Sequence, residues 1–554
     1  LYCISIYAII SKISIEFKGD RTLVNYVNHF NTTKTPKNQA IPGKTMIKNE
    51  SGGFVFEVSD WSKLKRFLIL GTEKGSFYAS EKNMTIEMAE ATLNCIKEDG
   101  LRVVNEVVEI SDSGRAIKND AALFVLSLAS CPKFADAKTV SFALECLPKV
   151  ARTGTHLFNF FTALKTNRGM GRSVRRALAN FYLHKTPEAL IKFVTKYKQR
   201  NGVSQRDLLR LSHPKTEDKT TNTIFKYVVS GEMPERFMLN PALTYMQAVE
   251  ELKTANNKRV IDLVKTLKMP EEVIPNDKLT KEVMEVLIET SGLTWLFRNL
   301  ANLSKDGILI SGNFDAINKV CARLTDQDAL VKGRIHPIQV LNALISYKKG
   351  TNRHGSWTPV AKVIDALDNA FYLAFKVVTP TNKRFCLGLD ISGSMHGSLV
   401  AGIEGLSCRE ACAALALVTE AVEQNTVIVG YGTKIHELTI SANQRLDDVV
   451  DILKKIPGEN TDCSLPMQHC LNKKIVVDVF VVYTDAQDNS GFHHPIQVFD
   501  KYKKKINNNA KLIIIPMCAN RFSIAEQNRE DVREFIGFDT QTPKLIELFT
   551  NGEI

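Results

Sequence analysis

The sequence predicts a two-part protein: an all-helical array followed by an α/β domain built on an open, largely parallel sheet. Two observations carry this. From about Gly53 to Phe375, apolar residues recur near i, i+3, i+4 and i+7 in one short segment after another, and strand-like alternation is scarce. After Arg384 the pattern changes to short apolar runs separated by helical stretches, which is how strands buried on both faces read. Length agrees, because 554 residues exceed what one core holds.

Taken in order, residues 18–50 are polar and rich in Asn, Thr and Lys, and read as disordered. The apolar stretch before them, interrupted by Lys12, has neither a charged leader nor a clear small-residue cleavage site. Residues 1–50 are therefore expected to be a disordered or artefactual extension. Helices are predicted over 85–98, 121–130, 137–150, 281–288 and 337–347. With no clean repeat period, they suggest stacked helical pairs in a solenoid. Residues 379–383, with Pro380, form the expected linker. Strands follow over 385–389, 426–431, 476–483 and 511–517, with helices over 409–423, 446–455 and 495–505. The expected domains are thus 51–379 and 384–554.

Hydrophobic residues make up 44% and charged residues 24%, ordinary values for a folded chain. Eleven cysteines are scattered without a C-x-x-C pair, several of them (Cys95, Cys146, Cys412, Cys518) in apolar runs. This reads as reduced thiols of a cytoplasmic or nuclear protein. Downstream of the N-terminus no run of about twenty uncharged apolar residues appears, so no membrane span is expected.

Charge is unevenly placed. The chain carries a net +12, yet residues 165–215 alone hold thirteen Lys or Arg against only Glu188 and Asp207. A surplus concentrated in one stretch is the electrostatic footprint of a polyanion partner, nucleic acid first. Around 172–182, Val174, Leu178 and Phe181 share one face while Arg168, Arg172, Arg175 and Arg176 gather on another. The next helix is predicted to start at Thr186, with Pro187 at its first position and Glu188 in its first turn. It buries Leu190, Phe193, Val194 and Tyr197 and presents Lys192, Lys196 and Arg200, with Lys198 at the edge. Ser204 caps a third helix, with Asp207 in the capping-box position and Pro214 ending it. Arg206, Arg210, His213 and Lys215 extend the surface. Solvated helix faces usually mix signs and pair them at i,i+4, and here acidic partners are nearly absent. Polyanion binding is the reading this favours, with a steep salt dependence.

In the C-terminal part, the run 385–389 leads into Asp390-Ile391-Ser392-Gly393-Ser394. An Asp-x-Ser-x-Ser loop at the carboxyl end of a strand gathers a carboxylate and two hydroxyls where open α/β sheets bind ligands. Thr461 and Asp485 lie in two later loops and complete a set of hard oxygen donors. That set suits Mg²⁺ first, or Mn²⁺ or Ca²⁺, in preference to zinc. Cys463 and Cys470 nearby are not taken as ligands.

Several stretches together resemble the Ro 60 kDa autoantigen family of TROVE-domain proteins. They are Asp60-Trp61 with 64–67, the run 195–202, the run 207–213, Arg334-Ile335-His336-Pro337, Lys383-Arg384-Phe385, the 390–395 loop and the run 461–467. The likeness spans about residue 51 to the C-terminus. It implies a ring of HEAT-like helical repeats closed by a von Willebrand factor A-like domain. The metal-ion-dependent adhesion site of that domain would use Asp390, Ser392, Ser394, Thr461 and Asp485. It also implies binding of small cytoplasmic Y RNAs on the outer ring surface and of single-stranded 3′ ends of misfolded noncoding RNAs in the central hole, with Lys196, Arg200 and His213 tied to RNA. Two departures stand out. Val203 stands where the family carries an aromatic, weakening base stacking there, and Glu459-Asn460 replace a usual Gly pair, making the second metal loop less close-fitting.

The leading expectation is a noncatalytic, monomeric RNA-binding protein of the cytoplasm, with the nucleus as the alternative location. The alternative is a metal-dependent protein-interaction module that captures an acidic partner. A nuclease is the weakest reading, since two-metal sites need clustered carboxylates and only Asp390 and Asp485 are evident. No phosphate-cradling Gly-x-x-x-x-Gly-Lys loop occurs either.

Overall fold

The computed structural model describes residues 35–554 apart from 73–75, 77–78, 201, 235–239, 376–378, 401–402, 404–405 and 442–443. The expectation for residues 1–34 lies outside the described residues. Residues 35–50 do not follow it: they are ordered and belong to the C-terminal domain. Strand β1 (Ile47–Lys48) pairs antiparallel with β2 (Phe54–Glu57), and Ile41, Val55 and Phe56 enter that domain's core. A polar composition misleads here because the segment's buried polar groups are satisfied by another domain rather than by water.

From Asp60 to Leu373 the described chain is dominated by helices. Asp60–Leu70 starts at Ser59, whose hydroxyl accepts from the Ser62 N–H. Glu81–Ser113 absorbs the expected helix at 85–98 and is broken at Asp99, where φ is −153° and ψ 86°. The stretch 137–150 splits into Ala137–Glu145 and Leu147–Val150, with Pro148 in the first turn of the second helix. Lys281–Thr290 and Pro337–Lys348 form where periodicity placed them. Two exposed hairpins interrupt the array: β3 (Gln199–Arg200) with β4 (Val203–Ser204), and β5 (Thr351–Asn352) with β6 (Gly355–Ser356).

The array turns back on itself. Arg334 pairs with Asp112 at 2.5 Å, the Gln339 side chain donates to the Ile117 carbonyl, and His336 Nε2 donates to the Arg115 carbonyl at 3.2 Å.

The C-terminal domain is a six-stranded sheet formed by β7 (Arg384–Asp390), β8 (Asn425–Tyr431), β9 (Ile435–Glu437), β10 (Val479–Thr484), β11 (Lys511–Pro516) and β13 (Val532–Glu534). The short β12 (Phe522–Ser523) instead joins β2. The sheet order is β13-β11-β10-β7-β8-β9, parallel throughout except for the antiparallel edge strand β9. Helices Cys408–Val422, Leu446–Lys454 and Pro495–Lys505 connect the strands as expected. One sheet face shares a continuous apolar core with the helical array. The other face packs against helices Leu465–Lys473 and Pro495–Lys505 and the N-terminal segment. Arg66 to Glu534, Arg115 to Asp539 and Lys348 to Asp447 add ion pairs across the junction.

Candidate nucleic-acid interface and metal centre

The three basic helices form where the sequence predicts, but the second ends at Lys196, so Lys198 and Arg200 lie in the loop and hairpin beyond it and not on the helix face. Arg172–Leu183 buries Val174, Leu178 and Phe181. Pro187–Lys196 begins at Thr186, whose hydroxyl accepts from the Ala189 N–H, and buries Leu190, Phe193 and Val194. Gln205–Ser212 carries a reciprocal capping box between Ser204 and Asp207. Burial of the apolar stripes forces the opposite faces outward. Arg172, Arg175, Arg176, Lys192, Lys198, Arg200, Arg206, Arg210 and His213 are exposed, and Arg168 and Lys196 are half-buried.

Ion pairing separates these cations from the rest of the surface. Among the described residues only Lys196 of this set has a carboxylate within 4 Å, that of Glu272 at 3.6 Å. Lys192 lies 5.6 Å from the Tyr245 ring and Lys196 5.4 Å from that of Tyr197. Arg168 reaches the Ser130 carbonyl and the Ser173 hydroxyl, and Arg175 donates to the Met170 carbonyl. Carbonyls orient a guanidinium without cancelling its charge.

The loop after Pro187–Lys196 is fixed from beneath. Gln205, 1% exposed, accepts from the Tyr182 hydroxyl at 2.6 Å and donates to the Tyr197 carbonyl at 3.0 Å. The β3–β4 hairpin then turns at Gly202, where φ is +74°. Val203 is half-buried against the core, so no aromatic ring is offered at that tip. His213 adopts the left-handed conformation (φ 46°) that ends its helix. Sequence reasoning missed a groove of about 820 Å³ between Ala137–Glu145 and Arg172–Leu183, whose walls include Arg168, Arg176, Asn180 and His184. Nothing local to either helix signals it.

Four of the proposed metal donors, Asp390, Ser392, Ser394 and Asp485, lie close together, and Thr461 is buried in the loop beside that of Asp485. Asp390, Ser392, Ser394, Thr461 and Asp485 are all at most 3% exposed. Asp390 ends β7, and Asp485 directly follows β10, the adjacent parallel strand. The Ser392 and Ser394 hydroxyls lie 3.1 Å apart. Thr484, not singled out from sequence, donates its hydroxyl to Asp390 Oδ2 at 2.8 Å. Burial, with the neighbouring Asp485 charge adding to it, pushes the Asp390 carboxyl up to about 7. Burial likewise pushes Asp485 up to about 6. Neither carboxylate has a cationic side chain within 4 Å among the described residues. Two buried, unpaired carboxylates among hydroxyls fit a hard divalent cation, which would supply the missing charge. The Glu459 carbonyl accepts the Gly393 N–H at 3.0 Å, joining the segment before Thr461 to the loop of Asp390. Cys463 packs toward Thr484 and Tyr431. The ten cysteines among the described residues are free thiols, and no helix of the described residues is long and apolar enough to cross a membrane.

Comparison with known proteins places this geometry. The TROVE domain profile matches residues 47–349, and the Ro60 vWA domain profile matches residues 384–550. The chain is 35% identical to the RNA-binding protein RO60 of Deinococcus radiodurans over 535 residues, covering 96% of this chain and all of that protein. It is 32% identical to the RNA-binding protein RO60 of Caenorhabditis elegans over 586 residues, covering 92% and 90%. The crystal structure of the Deinococcus radiodurans RO (RSR) protein superposes with a TM-score of 0.69 at 36% identity, covering 90% of this chain and all of that one. A helical array continuous with a C-terminal sheet domain, matched along almost its whole length by these proteins, means that the chain belongs to the Ro60 family of TROVE-domain proteins.

Proposed function

We propose that the chain is a noncatalytic RNA-binding protein whose helical domain holds noncoding RNA along the face carrying Arg172, Lys192, Lys196, Arg200, Arg206 and His213. One observation carries the reading: these cations are exposed or half-buried, and only Lys196 has a carboxylate within 4 Å among the described residues. Phosphates then supply the counter-charge, and counterion release drives association. The finer reading follows the family resemblance: Y RNAs, and 3′ ends of misfolded RNAs, bound in the cytoplasm for RNA quality control. Lys196→Ala with Arg200→Ala tests it. Anisotropy titrations of a small structured RNA across a salt series should show at least tenfold weaker binding. The slope of log K against log salt should flatten by roughly 1.5. Wild-type affinity and slope would reject the reading.

A second reading concerns the C-terminal domain. Asp390, Ser392, Ser394, Thr461 and Asp485 would hold Mg²⁺, which when bound supplies an open coordination position for a partner's carboxylate. Phe492, on the loop that follows Asp485, is 82% exposed and offers such a partner an apolar contact. Protein capture that needs Mg²⁺, is reversed by EDTA and is lost in Asp390→Ala supports this reading, and equal capture by both proteins rejects it.

A further inference from the structure

The N-terminal segment packs against the loops that carry Thr461 and Asp485. Lys37 is 2% exposed. Its ammonium lies 2.6 Å from Asp462 Oδ1 and also pairs with Asp488 Oδ1. Asp462 follows Thr461, and Asp488 sits three residues beyond Asp485, so one side chain bridges the two loops that carry these donors. Asp462 Oδ1 also accepts from the Ser464 backbone and hydroxyl, while Asp488 Oδ1 accepts the Cys463 N–H at 2.8 Å.

Backbone contacts tighten the same junction. Thr461 O accepts from the Asn489 and Ser490 N–H groups. Asn49 Nδ2 donates to the Ala486 and Asp488 carbonyls. The Gln487 side chain accepts from the Ser51 N–H and donates to Glu50. A Cβ at Gly53 would lie 1.8 Å from the Asp488 carbonyl oxygen, so the strap touches the loop backbone to backbone.

We propose that this N-terminal strap is part of the metal centre and that Lys37 is its positioning residue, setting the loop of Thr461 against the loop of Asp485. The proposal rests on the metal reading above. Without the ammonium, Asp462 and Asp488 would be two buried like charges facing each other, and their repulsion would strain the backbone contacts that set one loop against the other. The sign of the effect is diagnostic. Removing a cation close to a metal tightens binding by Coulomb's law alone, whereas loss of positioning weakens it.

Mn²⁺ titration followed by the electron paramagnetic resonance of the free ion tests this on the full chain. The wild type is expected to bind one Mn²⁺ that Asp390→Ala loses. Lys37→Met should weaken binding at least tenfold. Asn49→Ala, which alters no charge, should weaken it about threefold. RNA affinity should stay at the wild-type value, because the cationic face lies in the other domain. Lys37→Met that binds Mn²⁺ as tightly as the wild type, or tighter, overturns the proposal. If that variant does not fold, unchanged Mn²⁺ affinity in Asn49→Ala overturns it instead. A wild type that takes up no Mn²⁺ defeats the metal reading itself, and the inference with it.

Discussion

His336 and Arg115, 221 residues apart in sequence, are joined by a 3.2 Å hydrogen bond from the imidazole Nε2 to the arginine carbonyl. The other ring nitrogen, Nδ1, accepts the Ile338 N–H at 3.2 Å and so caps the helix Pro337–Lys348. An imidazole that donates from one nitrogen and accepts at the other is neutral. It is 1% exposed, and burial holds its pKa down at about 4.

That neutral histidine makes the closure acid-sensitive. The unfolded chain takes up a proton near pH 6.5 and the folded chain only near 4, so stability is full above 6.5 and lost as pH falls toward 4. The loss amounts to about 3 kcal/mol for this group. Half-buried His156, also held down to about 4 by burial, adds to the same window. Denaturant melts at pH 7.5, 6, 5 and 4 should show this decline. His336→Asn, which can still cap, should make it shallower.

Arg66 joins the first helix to the sheet domain. It is 1% exposed, pairs bidentately with Glu534 and donates to the Asn520 and Phe522 carbonyls. Arg66→Met leaves a carboxylate and two carbonyls without partners, and is expected to cost about 3 kcal/mol. Chemical denaturation would show this as a lowered midpoint.

Gly154 opens the helix Gly154–Asn167 directly against Tyr197. A Cβ there would lie 2.2 Å from the Tyr197 Cβ. Gly154→Ala is therefore expected to displace the loop that follows Lys196 and carries Lys198 and Arg200. Stability should fall by about 1–3 kcal/mol from overpacking, and RNA affinity should fall more than the loss of folded protein explains. Anisotropy measured on the folded fraction separates the two.

Glu272 holds back Lys196, the one cation of the basic face with a carboxylate within 4 Å among the described residues. Its ion pair with Lys196 is partly exposed and worth no more than about 1 kcal/mol. Glu272→Gln frees the ammonium and removes a negative charge near incoming phosphates. RNA binding at low salt should tighten about twofold, an effect that should vanish at high salt.

The basic helices were legible because their signals are local. Thr186, Pro187, Ser204 and Asp207 sit within one turn of the groups they cap, and apolar spacing then dictates which side of each helix faces water. The Asp-x-Ser-x-Ser loop was legible for a similar reason: Asp390 ends a buried apolar run, and Ser392 and Ser394 follow it at once. Lys37 left no such trace. Its partners lie 425 and 451 residues away, and a lysine in a polar stretch looks the same whether solvent or carboxylates surround it. The groove between Ala137–Glu145 and Arg172–Leu183 was equally hidden, since it exists only in the packing of two helices.

By itself, the sequence determined the division into helices and sheet, the cationic face and the Asp-x-Ser-x-Ser loop at a strand end, because periodicity, capping and charge act over one or two turns. Only the tertiary structure decided that residues 35–57 strap the loops of Thr461 and Asp485, that His336 closes the array onto Arg115, and that, among the described residues, only Lys196 of the basic face meets a carboxylate. Those outcomes depend on which distant groups burial brings together, and the free energy of a buried ion pair or hydrogen bond resides in that encounter, not in either residue's neighbours along the chain.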